Sequence, residues 1–144
     1  MSKQKEQGAS RVVIYREDLG LFSTSSPSPH LIGGRCKACG NYMFPKYLAC
    51  PKCFSDEVEA VPLSSNGTLH SFTNVQRAMP EFAVPFVLGL VDFPEGVRVM
   101  AQIETENPEN LEIGMEMEVT TGVIRKNKEG QDVISYKFRP AQPG

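Results

Sequence analysis

No stretch of this 144-residue chain is apolar over the roughly 18 residues that a bilayer-spanning helix needs. The N-terminus, MSKQKEQGAS, is polar and lacks the apolar core of a signal peptide. Excess positive charge is missing too. The formal net charge is -2, so no global field draws in phosphates, although a local basic patch stays compatible with it. Histidine is scarce, with only His30 and His70, and no G-x-S-x-G, P-loop or H-E-x-x-H motif occurs. Outside residues 36–53 there is no cysteine at all. Together these absences argue against a helical membrane protein, a secreted protein, a general nucleic-acid binder and the commoner self-sufficient hydrolases. A hydrophobic content of 40% with 22% charged residues is that of a folded protein, and the expected location is the cytoplasm.

What is present is one dense thiol cluster, CKACGNYMFPKYLACPKC, with the spacing Cys36-x2-Cys39-x10-Cys50-x2-Cys53. A C-x-x-C turn puts two sulfurs on one side of a tight loop. Two such knuckles facing each other make a tetrahedral S4 cage, the geometry that Zn²⁺ accepts. In a reducing compartment, clustered cysteines are metal ligands rather than disulfides. Gly40 follows the first knuckle, where a left-handed backbone is often needed, and Pro51 pre-sets an angle in the second. Four thiolates around one zinc carry a formal charge of -2. Between His30 and Phe54 there is no acid, while Arg35, Lys37, Lys46 and Lys52 can offset that charge. The expected cofactor is one structural Zn²⁺ on Cys36, Cys39, Cys50 and Cys53. Iron in the same S4 geometry and a redox dithiol are the competitors. Four cysteine ligands leave no open position for catalysis, so the metal is a staple. A ribbon of about 25 residues cannot fold by burial alone.

From Gly67 onward the pattern is that of strands. Thr68–Val75 and Pro85–Phe93 are strand-like. Val97, Val99, Ala101 and Ile103 alternate with Arg98, Met100, Gln102 and Glu104. Met115, Met117, Val119 and Thr121 alternate in the same way, as do Ile134, Tyr136 and Phe138 with Ser135 and Lys137 between them. Turn-forming clusters separate these runs. Five strands with short connections suit a small closed barrel of the OB type, with an open sheet or sandwich as the alternative. The expected fold is mainly β: a rubredoxin-like zinc ribbon followed by a five-stranded OB-fold barrel. The expected division is an N-terminal extension over 1–29, the ribbon over 30–62 and the OB-fold domain over 63–140. Residues 1–10 read as a disordered tail and 23–29 (STSSPSP) as a loop; Val12–Tyr15 is compatible with a strand or the start of a helix.

Little is left for chemistry once the cysteines are assigned. His30 lies in a Pro/Ser loop, His70 lies in a predicted strand, and Asp92 with Glu95 flanks a Pro-Gly turn. The chain therefore reads as a binding or accessory module, with no catalytic residues of its own.

The runs LIGGRCKACGNYMFPKYLACPKC, NGTLHSFTNV, VPFVLGLVDFPEGVRVMAQI and LEIGMEMEV, with KFRP at the end, resemble the zinc-ribbon/OB-fold proteins associated with acyl-CoA enzymes. The resemblance covers about residues 30 to 140. Bare C-x-x-C pairs are common to many ribbons; the order ribbon, G-T-x-x-S-F-T, Glu-Gly-x-Arg and Gly-Met is what makes it specific. It implies a non-catalytic partner of thiolases, of synthases or of hydratases and aldolases acting on acyl-CoA thioesters. Such a protein would sit beside a thiolase-fold subunit and help form the channel for coenzyme A. A thiolase needs a nucleophilic cysteine, an acid/base group and an oxyanion hole. With the cysteines here committed to metal, the thiolase-fold subunit must carry them. Arg35, Lys37, Lys46 and Tyr47 are the candidate CoA contacts, with Lys52, Tyr42 and Phe44 nearby. In one place the chain departs from the family: many members have Phe-Pro-Pro-Arg where this one has Phe44-Pro45-Lys46-Tyr47. A guanidinium able to grip phosphate in two-pronged fashion is thus replaced by a phenol, with an ammonium one residue earlier. The segment Gln76–Phe86 is expected either to face a partner or to cover one end of the barrel. The rival reading is a zinc-ribbon/OB-fold nucleic-acid-binding module.

Overall fold

The computed structural model describes residues 12–24 and 28–141. The expected disordered tail lies outside these residues, as does the middle of the STSSPSP loop. Among the described residues the only helical pieces are two single 3-10 turns, Glu17–Leu19 and Pro108–Asn110. Everything else regular is strand. The first five strands are β1 (Val12–Ile14), β2 (Phe22–Ser23), β3 (His30–Cys36), β4 (Tyr42–Met43) and β5 (Val58–Pro62). The long ones follow: β6 (Asn66–Val75), β7 (Phe86–Asp92), β8 (Arg98–Ile103), β9 (Glu116–Lys126) and β10 (Asp132–Pro140).

β6 to β10 close on themselves. β6 pairs antiparallel with β7, β7 with β8 and β9 with β10. Two short seams complete the ring: β6 meets β9 from Asn66↔Glu118 to Thr68↔Glu116, and β8 meets β10 in parallel at Ile103↔Phe138. The register of β6 slips between Leu69 and Ser71, and that of β10 between Val133 and Ile134. Such bulges add twist and bend, which a barrel this small needs in order to close. This is the five-stranded OB barrel that the alternation predicts. Val97, Val99, Ala101 and Ile103 are all buried, and Leu69, Val91, Met117 and Phe138 form the innermost layer.

The N-terminal segment does more than extend the chain. β1 runs parallel to β10, from Val12↔Asp132 to Ile14↔Ile134, and Tyr15 donates its N–H to the Ile134 carbonyl. Ser135, which the alternation assigns to solvent, is 2% exposed, because β1 and Tyr15 lie along this part of β10. β2 then pairs with β3 of the ribbon. One short segment thereby joins the sheets of both halves.

β3 is the spine of the ribbon, with β2 and β4 on one edge and β5 on the other. Gly33 sits where a Cβ would come within 2.5 Å of the Met43 carbonyl oxygen, so only glycine lets the β4 strand approach this closely. Ribbon and barrel share one core. Leu31 of β3 is fully buried and belongs with Leu63 to the same apolar cluster as Phe138. Tyr136 of the barrel is gripped edge-on by Phe44 of the ribbon (5.5 Å between ring centres) and by Phe22 of β2 (6.1 Å). Burial, with a smaller contribution from Tyr15, raises the Tyr136 phenol above its ordinary range.

Candidate metal centre

The two knuckles are built alike. In the first, Cys36 donates its N–H to the Asn41 carbonyl and Gly40 donates to the Cys36 carbonyl, both at 2.8 Å. In the second, Cys50 donates to Ser55 and Phe54 to Cys50, again at 2.8 Å. These bonds fold each C-x-x-C into a tight turn whose N–H groups point at sulfur. Cys39 donates to Cys36 Sγ (3.4 Å) and Lys52 to Cys50 Sγ (3.3 Å). The first cysteine of each pair is buried and the second exposed.

All four sulfurs lie within 4.8 Å of one another. Cys36 and Cys53 are 3.5 Å apart at sulfur, and Cys39 and Cys50 are 3.7 Å apart. Zn–S bonds of about 2.3 Å in a tetrahedron put the sulfurs about 3.8 Å apart. The donor set therefore fits Zn²⁺ in both chemistry and spacing, and Cys36, Cys39, Cys50 and Cys53 would hold it. The proton balance agrees. The Cys39 N–H, acting against burial, keeps the Cys36 thiol below its ordinary range. Burial pushes Cys50 up, but the N–H groups of Cys53 and Lys52 and the neighbouring sulfurs hold it at about 6. The Ser55 N–H draws Cys53 down, yet the Cys36 sulfur, burial and the other two sulfurs push it up to about 12. Four negative sulfurs cannot share this space without a cation, so binding a dication releases protons.

The candidate CoA contacts are spread over the ribbon. Lys37, Lys46 and Tyr47 are exposed, as is Lys52. Arg35 is half-buried and engaged within the ribbon: Nη1 lies 3.6 Å from Glu59, and the guanidinium sits 6.0 Å from the centre of the Tyr42 ring. Sequence reasoning missed Glu59, which the β3–β5 register places opposite Arg35. It also missed Phe54, which takes the left-handed position of Gly40 in the second knuckle; aligning CKACG with CPKCF would have found it.

Neither histidine gathers catalytic company. His30 Nδ1 lies 3.0 Å from the Ser28 carbonyl oxygen. His70 Nδ1 lies 3.5 Å from an Asp92 carboxylate that Arg98 grips through two bonds, at 2.6 and 3.2 Å. The Arg98 hydrogen bond, helped by its charge and by His70 against some desolvation, holds the Asp92 carboxyl below its ordinary range. Glu95 accepts from the N–H and hydroxyl of Ser64, so this acid anchors a turn. The Gln76–Phe86 segment is fastened to the end of β9 by the Lys126 N–H, which donates to the Glu81 carbonyl. Its Phe82 and Phe86 rings stack 5.8 Å apart, while Met79 and Val84 stay exposed.

Comparison with known proteins agrees with this architecture. A family model described as the ChsH2 rubredoxin-like zinc ribbon domain matches residues 27–59, and one described as the ChsH2 C-terminal OB-fold domain matches residues 60–122. The benzoylsuccinyl-CoA thiolase subunit BbsA of Thauera aromatica is 38% identical over 128 residues, which cover 89% of this chain and 88% of that protein. The protein of the same name from Geobacter metallireducens is 36% identical over 138 residues, 96% of this chain and 91% of that one. A DUF35 domain-containing scaffold protein of Methanothermobacter thermautotrophicus is 38% identical over 117 residues, 77% of this chain and 86% of that one. Among solved structures, the Ltp2-ChsH2(DUF35) aldolase matches with a TM-score of 0.64 at 28% identity, over 78% of this chain and 86% of that chain.

Proposed function

This chain belongs to the ChsH2-type family that joins a rubredoxin-like zinc ribbon to an OB fold, and on that premise we propose that it is a non-catalytic accessory subunit of an acyl-CoA thiolase-type complex. It docks on a thiolase-fold catalytic subunit and borders the CoA and acyl-CoA channel. One structural Zn²⁺ on Cys36, Cys39, Cys50 and Cys53 holds the ribbon in shape. The observation that carries this reading is the commitment of every cysteine to one S4 cluster in a chain whose relatives are named as thiolase subunits. No thiol is left over to become an acyl-enzyme. The proposed contacts to the phosphates and adenine of CoA at the shared interface are Lys37, Lys46 and Tyr47, which are exposed, with Arg35 in a supporting role because Glu59 and Tyr42 already engage it. Within the thioesters, we propose 2-benzoylsuccinyl-CoA, the intermediate of anaerobic toluene degradation, as the first substrate to assay.

The rival nucleic-acid reading is disfavoured by the outward side of β7 and β8, which in OB folds serves as the strand-binding surface. Here the register puts Leu88 opposite Gln102 and Leu90 opposite Met100 on that side, while Val87, Gly89, Val91, Val99 and Ala101 face the core. Its one cation in this register, Arg98, is neutralised by Asp92. A face of Leu88, Leu90 and Met100 with no unpaired cation suits a protein surface better than a phosphate backbone.

The experiment is a thiolysis assay with 2-benzoylsuccinyl-CoA and CoA. The isolated chain is expected to give no turnover, and adding the catalytic subunit should restore it. Turnover by a preparation shown to be free of any other protein would overturn the accessory role.

A further inference from the structure

The two knuckles differ in one respect that their shared geometry does not require. Gly40 (φ 81°) and Phe54 (φ 67°) both follow the second cysteine of a pair, and both donate to the carbonyl of the first. The turn demands this left-handed backbone. Glycine adopts it freely, whereas a phenylalanine pays for its Cβ. Packing within the chain does not compensate, because the Phe54 ring is 80% exposed. Leu48, two residues before Cys50, is 88% exposed, and Tyr47 beside it is 46% exposed. Three large apolar side chains thus flank the second knuckle at the surface. Exposed Lys46 and Lys52 are within two residues of these side chains along the chain, and exposed Asp56 and Glu57 follow Phe54.

Strain retained at an exposed aromatic residue points to a task outside the isolated fold. Apolar anchors on a base clamped by metal are already ordered before they bind, which lowers the entropy lost on docking. Resting on the accessory-subunit reading, we propose that Leu48 and Phe54 are the anchors by which the ribbon seats on the catalytic subunit. The complementary surface is an apolar pocket on that subunit. A protein fits better than the other surfaces. Two isolated apolar side chains give only marginal hold on a bilayer. A phosphate backbone offers an aliphatic anchor such as Leu48 nothing to bury against, whereas an apolar pocket in a protein does.

The test uses the full chain and the catalytic subunit purified from the native host. It measures the affinity of Phe54→Gly and Leu48→Ser, together with zinc content and thermal midpoint. Both variants should keep one zinc per chain. Phe54→Gly should have an unchanged or higher midpoint and yet bind at least tenfold more weakly, a split that a merely structural residue would not show. Leu48→Ser should bind comparably weakly. Wild-type affinity in both variants overturns this inference and leaves the accessory role standing. A wild-type chain that binds no thiolase-fold subunit overturns the accessory role, and this inference with it. Wild-type binding to anionic vesicles or to an oligonucleotide that Leu48→Ser abolishes, with affinity for the subunit unchanged, overturns the choice of partner.

Discussion

Cys50→Ser is expected to lose zinc and unfold the ribbon, with a large fall in the thermal midpoint of the whole protein. The Cys50 side chain is fully buried, accepts the Lys52 N–H and faces the other three sulfurs. A serine hydroxyl at neutral pH is neither a thiolate nor long enough to close the tetrahedron. In small zinc-stapled folds the metal supplies about 10 kcal/mol or more of apparent folding free energy. Little else could replace it here, since only Cys36, Met43 and Cys50 are buried in the cluster around the site. The damage should spread, because Leu31 and Leu63 sit in the barrel's core and Phe44 braces Tyr136. Elemental analysis together with thermal unfolding decides the matter. A variant that retains one zinc per chain and the wild-type midpoint would refute the staple. The same analysis separates zinc from iron: an iron-loaded S4 site would be coloured, and a colourless protein with stoichiometric zinc would not contain it.

The second large effect is expected in the barrel. Phe138→Ala should cost about 3–5 kcal/mol of unfolding free energy, the range for removing a fully buried phenylalanine. Phe138 has no exposed surface and packs against Phe93 with ring centres 5.9 Å apart. It also stands at the thinnest seam of the ring, pairing with Ile103 where β8 touches β10, and with Val119 on the other side. Apart from the Glu104 N–H just after β8, which donates to the Phe138 carbonyl at 2.7 Å, there is no further ladder from β8 to β10, so side-chain packing carries much of the closure. Urea unfolding of the zinc-loaded variant measures the cost; a loss below about 1 kcal/mol would show that the barrel closes without this side chain.

The barrel was legible chiefly from β8 and β9, which keep one face in the core and are long enough to show period two. Val97 to Ile103 is the clearest case, and all four of its apolar positions are buried. The ribbon's small strands carry no such signal: β2 and β4 are two residues long, too short for a period. β1 was ambiguous for another reason. It joins the sheet through parallel pairing with β10, some 120 residues away along the chain, and local patterning cannot report that. The same non-local pairing explains why Ser135 is buried against expectation. In the metal site, spacing alone revealed the four cysteines. It could not reveal that Arg35 is met by Glu59, which depends on the β3–β5 register. Nor does spacing show which apolar residues of the ribbon are left uncovered. Tyr42 and Phe44 pack against the shared core, whereas Leu48 and Phe54 do not.

The measurement that bears most directly on the accessory role is affinity capture of the full chain from its native host at moderate salt, with bound proteins identified by mass spectrometry and their stoichiometry determined. A thiolase-fold protein held in fixed ratio to this chain is the predicted result. Ribosomal proteins or RNA, with no thiolase-fold protein among the bound species, would contradict it and return the chain to the nucleic-acid reading.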